Sequence, residues 1–185
     1  MKKIISIVLA AAAIFLFLRA GRNAVFRCFP LKYGGYIERY AGEYGLDKTL
    51  VAAVIYAESG FDNTAHSGLA RGLMQMTDAT ADWVAERLGI EYEYDMAEEP
   101  EINIKMGCYY LSYLKETYRN TETALAAYNA GMGNVTKWLA DKSYSEDGKT
   151  LDDIPYKETR HYVKRVKIFE KVYEKLYGRS NRAWK

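Results

Sequence analysis

From Tyr33 onward the apolar residues return every three or four positions, separated by short polar stretches, which is the spacing of amphipathic helices. A first helix is predicted from Gly34 to Tyr44, closed by Gly45. Asp47 reads as the N-cap of a second helix, Lys48 to Ser59, which Gly60 ends. Phe61 to Arg71 is rich in Gly, Ser, Asn and Asp and reads as a loop. Thr77 caps a helix running to Leu88, and Gly89 stops it. Pro100 suits the first turn of a long helix through Tyr118, with Ile102, Met106, Tyr109, Tyr113 and Leu114 as its apolar stripe. Thr121 to Ala130 makes a short helix ended by Gly131, and Gly133 to Ala140 another. Ser143 to Asp153 is a polar loop. Pro155 then opens a final helix, on which Tyr162, Val166, Phe169, Tyr173 and Leu176 recur at 4-3-4-3 spacing. The pattern predicts one all-α domain over residues 33–185.

The first 32 residues follow a different rule. Lys2 and Lys3 precede Ile4 to Leu18, an apolar run interrupted only by Ser6, enough for roughly 22 Å of helix at about 1.5 Å per residue. Small residues would follow the run in a cleavable signal peptide; Arg19 and Arg22 stand there instead. An uncleaved signal anchor with a short juxtamembrane linker is therefore expected over residues 1–32. Charge counting does not orient it, because Lys2, Lys3 and the amino terminus balance Arg19, Arg22 and Arg27. Cys28 follows Val25-Phe26-Arg27 rather than the small residues that precede a lipidated cysteine, so an idle thiol is expected.

Composition narrows the function classes. With 49% hydrophobic residues and 2 Cys among 185, the chain is neither disordered nor a disulfide scaffold. The formal charge of +2 divides unevenly: residues 1–32 hold six basic residues and no acid, leaving 20 basic against 24 acidic residues beyond them, a net of −4. A net acidic domain without a basic aromatic stripe argues against nucleic acid as partner. Lys164, Arg165, Lys167, Lys171 and Lys175 give the final helix a cationic face, either its solvated side or an approach to anionic wall polymers. His66 and His161 show no metal-ligand spacing with Cys28 or Cys108, no phosphate loop or nucleophile elbow occurs, and Cys108 reads as core; no metal or organic cofactor is expected.

Two acids sit where the periodicity calls for apolar residues. Glu58 lies four residues after Val54, itself four after Leu50, so its carboxyl shares the inward stripe at the helix C-terminus. Partial burial and the negative helix end would both raise its pKa, as a general acid requires. Glu158 is similarly placed, four before Tyr162 and eight before Val166. On spacing alone, the commoner case for each is a glutamate whose stem packs and whose head meets an arginine or solvent. The 17 tyrosines suit a helical core or a sugar-binding cleft.

Four blocks in order decide between these readings. Glu58-Ser59-Gly60-Phe61, Gly72-Leu73-Met74-Gln75, Ala127-Tyr128-Asn129-Ala130-Gly131 and Ile154-Pro155-Tyr156-Lys157-Glu158-Thr159-Arg160-His161-Tyr162-Val163 resemble the conserved blocks of the soluble lytic transglycosylase catalytic domain, a relative of goose-type lysozyme. Asn103-Ile104, Gly107 and Tyr110-Leu111 fit the family's long-helix pattern, and the likeness spans about Tyr36 to Tyr177. It implies a lysozyme-like helical fold and an extracytoplasmic enzyme, which the N-terminal segment read above would hold at the cell membrane, or which would be secreted if that segment is cleaved. The substrate implied is the glycan of peptidoglycan, cut between N-acetylmuramic acid and N-acetylglucosamine without water to leave a 1,6-anhydro end. By the same match Glu58 is the catalytic acid and base, and Ser67, Gln75, Tyr128, Asn129 and Glu158 line the saccharide cleft, with Tyr128 and Glu158 supporting the catalytic centre. Structural roles stay open for Gln75 and Asn129, as loop ties, and for Tyr128, as core. The chain departs from the family between Ser67 and Gly72, where it is one residue shorter, and at Met76-Thr77-Asp78. A hydrolytic muramidase would pair its acid with a second carboxylate, for which Asp62 and Asp78 are the candidates. A third alternative is a noncatalytic, membrane-tethered peptidoglycan-binding module.

Overall fold

The computed structural model describes residues 15, 17, 19, 21, 23–178, 183 and 184. Apart from Phe15 and Phe17, the expected anchor run lies outside the described residues. The chain forms two units, Met1–Pro30 and Leu31–Lys185. In the first, residues 23–28 are helical. Among the described residues no helix is long and apolar enough to cross a membrane.

The second unit is built around α2 (Lys48–Ser59). Its cap is the expected one: the Asp47 carboxylate accepts from the Thr49 amide at 2.8 Å and the Thr49 hydroxyl at 2.7 Å, and Gly60 ends the helix with φ 63°. Leu50 through Ile55 are all buried, so this helix is apolar on every side and must run through the middle of the domain. Its principal partner is α7 (Lys157–Tyr177). Around this pair lie α1 (Gly34–Glu43), α3 (Asp78–Leu88), α4 (Pro100–Tyr118), α5 (Thr121–Ala130) and α6 (Met132–Leu139), with a 3₁₀ turn at Tyr94–Glu98.

Three expectations change. The segment read as an open loop contains β1 (His66–Ser67) and β2 (Ala70–Arg71), which pair antiparallel and continue to β3 (Met76–Thr77), with His66 opposite Arg71 and Ala70 opposite Thr77. The fold is therefore mostly helical with one small sheet, not strictly all-α. Strands of two residues carry no alternation for a periodicity reading to detect. In α4 the buried side is Asn103, Ile104, Met106, Gly107, Cys108, Leu111 and Leu114. Ile102, Tyr109 and Tyr113 from the expected stripe are only half-buried, because α4 also packs sideways on α3, where Trp83 stacks edge-on against Tyr113 at 4.8 Å. Pro155 precedes α7 rather than opening it, with Tyr156 as the N-cap.

The end of the chain closes the core. Trp184 is fully buried; its indole N–H donates to the Tyr177 carbonyl at 3.1 Å, and the Lys48 ammonium sits 4.9 Å from its ring. At the start of α1, a Cβ on Gly34 would lie 2.8 Å from the Trp184 Cα, so only glycine fits there. Trp184→Ala is expected to cost about 3–5 kcal/mol in denaturant unfolding, as for other large aromatics removed from a core. A loss under about 1 kcal/mol would mean the tail is not an integral part of the core.

Candidate active site

Because α2 is core along its length, its C-terminal end delivers Glu58 from a rigid element to the edge of the domain. Glu58 keeps some solvent access, yet loss of water around the carboxyl is the largest influence on it and raises its pKa to about 7. The Tyr162 hydroxyl and the Arg165 guanidinium oppose that rise. Tyr162, from α7, is 1% exposed, and its hydroxyl stands within polar reach of the Glu58 carboxyl without closing a hydrogen bond of good geometry. Tyr128, from α5, is near enough for its phenol to feel the Glu58 charge. Burial, then the Glu58 charge, hold both phenols well above their ordinary pKa, so they remain neutral O–H groups at any working pH. The arrangement is a carboxyl with a raised pKa, within electrostatic reach of two neutral phenols and one guanidinium.

The loop after β2 is held in place by residues of three helices, α2, α4 and α5. Ser59, next to Glu58, donates its hydroxyl to the Leu73 carbonyl at 2.8 Å. Tyr128 donates to the Met74 carbonyl at 2.8 Å. From α4, the Asn103 side chain accepts from the Met74 amide at 2.8 Å and donates to the Ala97 and Arg71 carbonyls at 2.9 and 3.3 Å. Gly107 leaves room for Met74, whose sulfur would lie 2.3 Å from a Cβ there. Gly72 has φ 75°, and a Cβ on it would stand 2.1 Å from the Ala97 carbonyl oxygen. Gln75 carries φ 48°, a left-handed conformation that a non-glycine residue adopts only when its surroundings hold it. Its side-chain amide donates to the Ala65 and Gly72 carbonyls, both at 2.9 Å, while its Oε1 is buried with no partner among the described residues.

The residues singled out from sequence fall into three groups. Tyr128 is gathered around Glu58. Gln75 sits in the fastened loop and Ser67 on exposed β1 of the adjoining sheet. Asn129 and Glu158 border one open concavity with Ala130, Pro155, Tyr156, Lys157 and Thr159. Glu158 is exposed, contrary to the partial burial read from its spacing, while Thr159 beside it is buried, so the first turn of α7 is covered on a different face. The two candidate second carboxylates have local duties. Asp62 accepts from the Thr64 hydroxyl and amide, both at 2.9 Å, bonds that hold its pKa below the ordinary value, and Asp78 lies 4.0 Å from the Arg71 guanidinium. Among the described residues no three His, Cys, Asp or Glu side chains gather as a metal ion would need. The sequence reading missed Tyr162 and Arg165 as neighbours of Glu58, and Asn103 as the fastener of the loop. Tyr162 was legible only as a core position, although a hydroxyl inside a core calls for a partner.

The family model described as the transglycosylase SLT domain matches residues 35–151. The soluble lytic murein transglycosylase of Salmonella typhimurium is 33% identical over 157 residues, covering 82% of this chain and 24% of that protein. Its counterpart in Escherichia coli K12 is 32% identical over 155 residues, covering 81% and 24%. In three dimensions the chain is similar to an inactive mutant of the lytic transglycosylase Slt from Pseudomonas aeruginosa, with TM-score 0.72, 31% identity and coverage of 84% of this chain and 26% of that one. The 70 kDa soluble lytic transglycosylase of Escherichia coli gives TM-score 0.72, 29% identity and coverage of 83% and 26%. The chain thus spans about a quarter of the length of these relatives.

Proposed function

The chain belongs to the transglycosylase SLT domain family, with a lysozyme-like helical fold, and from that premise we propose that it is a peptidoglycan lytic transglycosylase with Glu58 as acid and then base. The observation that carries this reading is the Glu58 carboxyl at the end of the core helix, its pKa raised to about 7 and two neutral phenols beside it. Protonated Glu58 donates to the glycosidic oxygen between N-acetylmuramic acid and N-acetylglucosamine. The C1–O bond breaks through an oxocarbenium-like state, which the neighbouring acetamido group stabilises as in substrate-assisted glycosidases. The Glu58 carboxylate then takes the proton of the muramic C6 hydroxyl, and O6 bonds to C1. The product is a 1,6-anhydro end; the proton returns to Glu58 and no water is consumed. Intramolecular attack needs little activation of the nucleophile, since both reacting atoms are in one sugar.

Ser67, Gln75, Asn129 and Glu158 are assigned to saccharide contacts, with Tyr128 steadying the loop beneath. The unpartnered Gln75 Oε1 supports its share, since a sugar hydroxyl or acetamide N–H would satisfy it. The apolar run before residue 19 is assigned as a membrane anchor and the domain beyond it as extracytoplasmic, where peptidoglycan lies.

Two measurements on purified sacculi test the mechanism. Mass spectrometry should find anhydro ends; reducing ends carrying oxygen from labelled water would instead mean a hydrolase. The active form needs the Glu58 proton, present below the raised pKa and lost above it. kcat/KM is therefore expected to fall about tenfold per pH unit above about 7. A profile flat to pH 9 would refute the assignment of Glu58 as the acid.

A further inference from the structure

The outer side of α7 carries a row that catalysis does not use. His161, Lys164, Ile168, Lys171 and Lys175 follow at 3-4-3-4 spacing, which puts them on one helix face, and all are exposed. The row extends about 21 Å at the helical rise per residue. It contains no acid; Glu170 and Glu174 lie off one side and Glu158 off the other. Lys167, just beside the row, is paired with Glu122, whereas none of the three lysines in the row forms a salt bridge among the described residues. At its centre Ile168 is 59% exposed, one of the larger apolar side chains left in water on this domain.

We infer that this face of α7 docks on an anionic lipid bilayer surface, with the lysine ammoniums at the headgroups and Ile168 in the interfacial layer. Charge complementarity is concentrated here: residues 33–185 are net −4, so the domain as a whole is not drawn to polyanions and the row alone supplies the attraction. Ile168 separates a bilayer from a soluble polyanion as occupant, because only an interface gains by covering an apolar side chain flanked by lysine stems. The same combination recurs in the first 32 residues, where an apolar run is flanked only by basic residues. The inference rests on the membrane-proximal placement proposed above. A single apolar segment and a basic surface acting together are what a stable, oriented attachment needs.

The test uses the full chain with Cys28→Ser and Ile168→Cys, labelled at position 168 with an environment-sensitive nitrobenzoxadiazole; Cys108 is buried and out of reach. It is reconstituted into nanodiscs of phosphatidylcholine, with or without about one-third phosphatidylglycerol. Recovery in the neutral discs reports the anchor by itself. The label should shift blue and brighten about twofold only in the anionic discs, and lose that response in salt of about 0.5 M. K164E/K171E/K175E should abolish the response, and each of K164Q, K171Q and K175Q alone should weaken docking roughly fivefold, while all retain activity on sacculi. Equal spectra in the two kinds of disc, with the chain recovered in both, would overturn the inference. An equal or larger response to soluble polyphosphate without anionic lipid would overturn it in favour of a wall polymer.

Discussion

Glu58→Gln is expected to lower turnover of sacculi on the order of 10³-fold or more, and to raise thermal stability at alkaline pH. The first effect follows from chemistry: an amide neither donates the proton to the glycosidic oxygen nor accepts one from the C6 hydroxyl, so both halves of the reaction fail together. The second follows from linkage. The carboxyl has a folded-state pKa raised above its unfolded value by desolvation, so the folded state holds the proton more tightly. That advantage is complete at acidic pH, declines as pH rises from about 4.5 toward about 7, and above 7 the folded state carries a poorly solvated charge. Glutamine lacks this charge. With allowance for the partial solvent access of the site, Tm at pH 8 should rise by about 2–4 °C, what ~1 kcal/mol moves a domain of this size, and by less at pH 5. Retained turnover would remove Glu58 from the mechanism, and a fall in Tm at pH 8 would show that its charge is well solvated.

Asn103→Ala is expected to cost about 3–5 kcal/mol, a large share of the stability of an ordinary domain. Asn103 is 2% exposed, and one side chain satisfies the Met74 amide and the Ala97 and Arg71 carbonyls. Its removal leaves three backbone groups without partners in a place that water reaches poorly. The Gly72 turn lies against the same amide, so leucine would add a steric conflict to the lost bonds. Denaturant titration measures the loss; a value under about 1 kcal/mol would mean that water replaces the amide. Activity should fall beyond what the folded fraction explains, since the loop carrying Gln75 would lose its fastening on the α4 side.

What the sequence discloses is uneven for physical reasons. α2 was legible to the residue because both of its ends are set by local chemistry, an Asx cap and a left-handed glycine. The sheet of β1 to β3 was not, since two-residue strands are fixed by tertiary hydrogen bonds rather than by pattern. Glu58 could be located because an acid on an apolar stripe is anomalous. The same reasoning misplaced Glu158, since spacing gives one face for the whole helix, whereas its first turn is covered on a different one. Asn103 shows the converse limit. A buried asparagine becomes informative only when the three distant backbone groups it joins can be seen together.

The seat of Trp184 against Gly34 also bears on how the chain is made. Two residues near opposite ends of the domain share one contact, so it has the longest loop to close and no local element can form it early. During synthesis at about 5–20 residues per second, α1 and α2 emerge many seconds before the residue that finally covers Tyr177 and the start of α1. Until then the nascent domain stays open at that corner, and the contact closes only after every helix of the domain has been made.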